Sequence, residues 1–184
     1  MRARAALIML AVVVALGAVL YLTTRPHPAP APPEKQFVWF VDMTELSTMA
    51  ISLPPLGKSQ RWVKHTDQYW YFDAPNGPKV NMKRWGGGIP LILSGPAASR
   101  RIVTGATDQQ LVLYGLAQPR MRIALTLTTG QPISIIVGDA TPDQQACYIK
   151  LAESREVYTV DTSWYDVLAR LVTDPPYPVP GEPN

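Results

Sequence analysis

The sequence predicts an α+β fold, mainly antiparallel sheet with packed helices, preceded by one N-terminal transmembrane helix. Three observations point there: an almost wholly apolar run at residues 5–22, strict alternation of apolar and polar side chains at 121–128, and short apolar stretches punctuated by Gly, Pro and Asp that twice lead into a helix-period segment. The last pattern splits the folded part into two similar β-rich halves, 37–105 and 106–172. Around them lie a membrane anchor (1–24), a Pro-rich linker (25–36) and a Pro-rich tail (173–184).

Only Gly17 and Tyr21 interrupt the apolar character of residues 5–22, and Arg2, Arg4 and Arg25 bracket the run. At about 1.5 Å per residue it makes roughly 27 Å of helix, close to the ~30 Å hydrocarbon core of a bilayer. A cleavable secretory signal is the competing reading, but its apolar core is shorter and ends at a small-x-small site. Here the Ala-x-Ala of Ala29 and Ala31 sits inside a proline repeat, so a retained anchor is favoured. Two arginines and the terminal amine precede the run, which places the N-terminus in the cytoplasm and the rest of the chain outside, periplasmic or at the cell surface. Prolines at 26, 28, 30, 32 and 33 then favour a stiff polyproline spacer. The tail from Pro175 to Pro183 is read as an unstructured end, the alternative being a ligand for an aromatic groove.

In the first half, residues 37–41, 48–53, 59–64 and 68–72 read as strands, and 79–85 as the start of a helix that Gly86-Gly87-Gly88 and Pro90 break. Residues 100–103 form a connecting strand. In the second half, Thr107 and Gln110 make a capping box for a short helix through Tyr114, which Gly115 terminates. Met121, Ile123, Leu125 and Leu127 then point one way along a half-buried strand, and Thr129-Gly130-Gln131 turns it into a central strand at 133–137. Strands at 147–151 and 157–160 follow, and Ser163 with Asp166 is a second capping box, opening an amphipathic helix to 172.

Tyr114-Gly115-Leu116-Ala117-Gln118-Pro119 leads into the alternating strand, and Gly138-Asp139-Ala140-Thr141-Pro142, Tyr148-Ile149 and Val157-Tyr158 follow in order. That succession resembles the uncharacterised prokaryotic family labelled domain of unknown function 4340. The resemblance covers 105–172, with a looser extension to about residue 37 through Trp70 to Pro75; the interruption at 86–90 departs from the continuous helix of the family pattern. It implies a membrane-anchored extracytoplasmic α+β domain, linked in some members to transport or gliding machinery, and supplies no catalytic residues. Read physically, Gly115, Pro119 and Thr141-Pro142 are determinants of turns and strand starts.

The chain carries a net charge of +3, unevenly spread. Residues 35–105 hold nine Lys or Arg against four Asp or Glu, and 106–172 five against seven. A solvated basic face is the plain explanation, an anionic membrane surface or acidic partner the alternative, and nucleic acid is not implied. The two histidines, His27 and His65, cannot build a metal site of ordinary spacing. Asp139 and Asp143 lack the run of a calcium loop, no Gly-x-Ser-x-Gly elbow presents a nucleophile, and Gly86-Gly87-Gly88 lacks the Lys-Ser or Lys-Thr of a phosphate loop. Cys147, the sole cysteine, reads as a buried strand residue. No metal, cofactor or catalytic residue is expected. Arg61, Trp62, Lys64, Trp70, Lys83, Arg84 and Trp85 are the candidate partner-binding residues, with core packing of the tryptophans as the competing reading. The chain is read as a non-catalytic accessory subunit that docks, through a single-span anchor and its folded domain, onto a larger membrane protein complex. A module for an envelope polymer or small anion is the alternative.

Overall fold

Residues whose side chains alternate most cleanly lie at the centre of the sheet, where both faces must be specified. The computed structural model describes Met9, residues 13–18, Tyr21, and residues 37–86 and 88–181. The chain divides into two units, Met1–Glu34 and Lys35–Asn184. Within the expected span, Met9, residues 13–18 and Tyr21 are helical and exposed. The rest of that span, the linker 25–36, Gly87 and residues 182–184 lie outside the described residues. Among the described residues, no helix is long and apolar enough to cross a membrane.

The strands are β1 (Leu46–Leu53), β2 (Lys58–Lys64), β3 (Trp70–Phe72), β4 (Arg100–Val103), β5 (Met121–Leu127), β6 (Pro132–Ala140), β7 (Ala146–Leu151) and β8 (Val157–Asp161). They form one eight-stranded sheet in the order β3-β2-β1-β5-β6-β7-β8-β4, antiparallel at every pairing. The two expected halves therefore share a single sheet. Meanders β1-β2-β3 and β5-β6-β7 run outward from the central β1·β5 pair, and β4 crosses to the far edge to pair with β8.

Period-two patterning assigns the faces. Met49, Ile51, Leu53, Trp62, Met121, Ile123, Leu125, Ile135, Val137 and Ile149 are buried on one face. They join one core with Leu168, Leu171 and Val172 of helix α4 (Thr162–Thr173), which packs on β1, β2, β7 and β8. Cys147 belongs to this core, and burial pushes its thiol pKa up. Helix α4 starts before the expected Ser163–Asp166 box: Asp161 is the N-cap and accepts from Ser163 N at 2.8 Å.

Three expectations in the first half change. Residues 37–41 form no strand beyond a bridge between Phe37 and Ala97, because consecutive Val38 and Trp39 are both buried and break the alternation. The expected helix at 79–85 shortens to α1 (Met82–Trp85): Lys79 and Val80 still pair with β3, and Asn81 caps the helix through Lys83 N and Arg84 N. Gly86, at φ 67°, ends it as expected. Beyond Gly88 the chain is helical again in α2 (Ile89–Ser94), because Pro90 stands in the first turn, where a missing N–H costs nothing.

On the opposite face, α3 (Asp108–Leu113), opened by the expected Thr107–Gln110 capping box, covers the β8 end with a second small core of Ala106, Leu116 and Val157. Tyr114 and Tyr148 join it, ring centroids 4.6 Å apart. On that face Lys150 is 5 % exposed. Its Nζ donates to the carbonyls of Leu151, Ala152 and Ser154 at 2.8–2.9 Å, tying the β7–β8 turn. Burial, then the neighbouring Arg155, pulls its ammonium pKa below the ordinary value. Lys150→Met is expected to lower the unfolding free energy by about 1–3 kcal/mol in urea titration, since three turn carbonyls lose a charged donor. An unchanged midpoint would show that water serves them equally well.

Candidate functional site

Of the sequence-selected partner residues, the tryptophans face inward. Trp62, Trp70 and Trp85 are 0, 5 and 1 % exposed, so they present almost no surface. Their strand parity is the reason: Trp62 and Trp70 share the core face with Phe72, and Trp85 drops onto them from α1. Trp62 meets Trp85 edge-on at 5.2 Å and Phe72 at 6.2 Å. The other parity set points out. Tyr71 donates to Asp67 at 2.7 Å and stacks on His65 at 4.1 Å, while Lys79 lies 3.2 Å over the Tyr69 ring. The Tyr71 hydroxyl, followed by Tyr69 N, holds the Asp67 carboxyl below its usual range.

The candidate cations have separate local roles. Arg61 pairs with Asp73 at 2.9 Å, Lys64 donates to Thr44 O at 3.2 Å, Arg84 pairs with Asp174, and Lys83 is exposed. The Arg84 pair lies where the tail docks. Pro176 is buried, its carbonyl accepts from Asn81 N at 2.8 Å, and Tyr177 stacks on Phe72 at 4.1 Å with the rings 8° from parallel. Through residue 177 the tail is thus a strap on β3 and α1, in place of the expected unstructured end.

A surface that sequence selection missed lies on the face of the sheet opposite the main core. Cross-strand register sets out two rows, Arg61-Ala50-Ala124-Ser134 and Ser59-Ser52-Arg122-Ile136-Lys150. The short side chains of these rows, Ala50, Ala124 and Ser134 in one and Ser59 and Ser52 in the other, leave a trough of about 560 Å³, with Phe72, Asp73 and Tyr177 among its lining residues. Arg122 is exposed in the trough and forms no ion pair among the described residues. The signal was available: Arg122 and Ala124 are the outward positions of the most regular strand, and their neighbours Ser52, Ala50 and Ser134 are equally short.

A second surface gathers Phe37, Phe40 and Leu91, 43, 73 and 59 % exposed, beside an apolar groove of about 460 Å³ reaching Ile92 and Trp164.

The motifs of the second half touch one another. Gly115 takes φ 68° after α3, and Tyr114 O accepts from Asp139 N at 2.9 Å. A Cβ on Gly138 would stand 2.1 Å from that same carbonyl oxygen. In the following loop, Asp143 accepts from the Thr141 hydroxyl at 2.6 Å and from Gln145 N at 3.2 Å, which lowers its carboxyl pKa and closes the turn. These contacts account for both motifs as packing and turn chemistry.

Residues 96–173 match the family model described as Domain of unknown function (DUF4340), the stretch that contains both motifs. No curated protein and no solved structure matches the chain.

Proposed function

We propose that the folded domain is a non-catalytic docking module of a larger membrane protein assembly. In this reading it is held outside the cytoplasm by one N-terminal span at 5–22 and a proline spacer, with 37–105 and 106–172 as two arms of a duplicated plan. The observation that supports docking is the trough. A sheet face lined by Ala50, Ser52, Ala124 and Ser134 lets another backbone approach closely, and exposed Arg61 and Arg122 favour an acidic contact on the incoming segment. Open to solvent and floored largely by short side chains, it suits a polypeptide better than a small molecule enclosed on all sides.

Ala124→Trp tests the reading, because Ala124 is exposed and the indole fills the trough without entering the core. Tagged full-length protein purified in mild detergent is expected to retain a stoichiometric partner, and the variant to lose it at an unchanged thermal midpoint. A partner retained by the variant would sink the trough as the docking face.

The alternative, a module for an envelope polymer or small anion, draws support from Arg122, whose guanidinium has no carboxylate partner among the described residues. It predicts phosphate binding by calorimetry that Arg122→Gln abolishes while the co-purifying partner stays.

A further inference from the structure

We propose that Phe37, Phe40 and Leu91 form an edge that seats the domain in the bilayer interface, an inference that rests on the membrane-anchored reading above. The edge is rigidly built. Phe37 bridges to Ala97, Val38 N donates to Pro96 O at 3.4 Å, and Val41 N donates to Ser94 O at 2.7 Å, so the entering chain is stitched to the end of α2 and the segment after it. Two indoles brace α2 from beneath: Trp39 Nε1 donates to Leu93 O and Trp164 Nε1 to Ile92 O, both at 3.0 Å, satisfying carbonyls that a helix end leaves open. Val38 and Trp39 are buried while Phe37 and Phe40 turn outward, their rings 5.7 Å apart, with Leu91 exposed beside the same groove. Apolar side chains held out by a fixed backbone lose little freedom on insertion, which favours a standing contact.

The occupant is argued from chain order and chemistry. Phe37 is the first described residue of the folded unit, and only the twelve residues of the linker separate the unit from the anchor segment. The tether therefore enters the folded unit at this edge. Exposed Phe and Leu side chains are among those that interfacial segments bury at the boundary of headgroups and acyl chains. Among the described residues lining the groove only Asp161 is charged; it remains an exposed carboxylate while it caps α4 through Ser163 N, and the rest of the lining is uncharged.

All five tryptophans lie at or beyond Trp39, outside the anchor, and Trp39 and Trp164 flank the edge. Full-length protein is reconstituted into phosphatidylcholine–phosphatidylglycerol vesicles with or without brominated acyl chains. Flotation after an alkaline wash reports the anchor, and tryptophan emission reports the edge. The expected result is flotation with bromine-dependent quenching of part of the emission, that of Trp39 and Trp164 beneath the edge. Phe40→Ser with Leu91→Ser, checked for an unchanged thermal midpoint, should float equally and lose the quenching. Phe40→Ser alone serves if the double variant misfolds. Flotation without quenching overturns the edge and leaves the anchored reading standing, whereas failure to float overturns both. Quenching that survives these variants, or an unquenched protein whose dimer they dissociate, also overturns it, the second outcome assigning the edge to a second copy of the chain.

Discussion

Gly138→Ala is expected to destabilise the domain by about 3 kcal/mol, at the upper end of overpacking costs, because the obstacle is backbone and no rotamer relieves it. The added Cβ would meet Tyr114 O at 2.1 Å and Gly115 C and Leu116 Cγ at 3.1 Å. Relief requires moving the turn after α3 off β6, which breaks the 2.9 Å bond from Asp139 N to Tyr114 O and exposes Leu116 of the second core. Gly130→Ala provides the comparison. Gly130 turns β5 into β6 at φ 85° with none of the described residues within 4 Å of the added carbon beyond its chain neighbours, so only left-handed strain is incurred, about 1 kcal/mol. Urea titrations of both variants should rank them in that order. Equal midpoints would mean that the turn-to-strand contact is not what the Gly138 position serves.

The same contact shows where sequence reading reached and where it stopped. Gly115 was legible as a helix stop from its place after a capped helix, and Thr107 with Gln110 carried the start; both are local chemistry, and the structure contains both. The tight approach of Gly138 to Tyr114 was not legible, because it joins residues 24 positions apart and leaves no periodic mark. Strand β5 was readable residue by residue, since alternation encodes its two faces directly. What alternation cannot say is which face a second layer covers, so the trough around Ala124 went unselected. The helix at 89–94 escaped for a different reason: Pro90, expected to break a helix, is a breaker inside one and a starter in its first turn, and sequence alone does not give the register. Strand β4 was recognised as extended, yet its crossing to β8, which fuses the halves into one sheet, is a tertiary choice.

The aromatic residues of the first half were selected by type, and parity sorts them. Trp62→Ala is expected to cost about 3–5 kcal/mol, the range for deleting a large buried aromatic, and to leave partner binding unchanged in any population that remains folded. Trp62 is fully buried, and its removal opens a void against Trp85 and Phe72, whose own stacking on Tyr177 holds the tail. The strap should therefore loosen together with the core, visible as easier proteolysis after Tyr177. Trp62→Phe separates ring packing from polarity. Among the described residues the Trp62 and Trp85 indole nitrogens are buried without hydrogen-bond partners, so phenylalanine removes an unsatisfied donor while keeping most of the apolar contact. Its loss should be under half that of alanine. Arg61→Ala, at an exposed ion pair with Asp73, should hardly move the midpoint and instead weaken docking at the trough it borders. If Trp62→Ala left stability intact and abolished partner binding, the indole would have to reach the surface, and the inward assignment of β2 would be wrong.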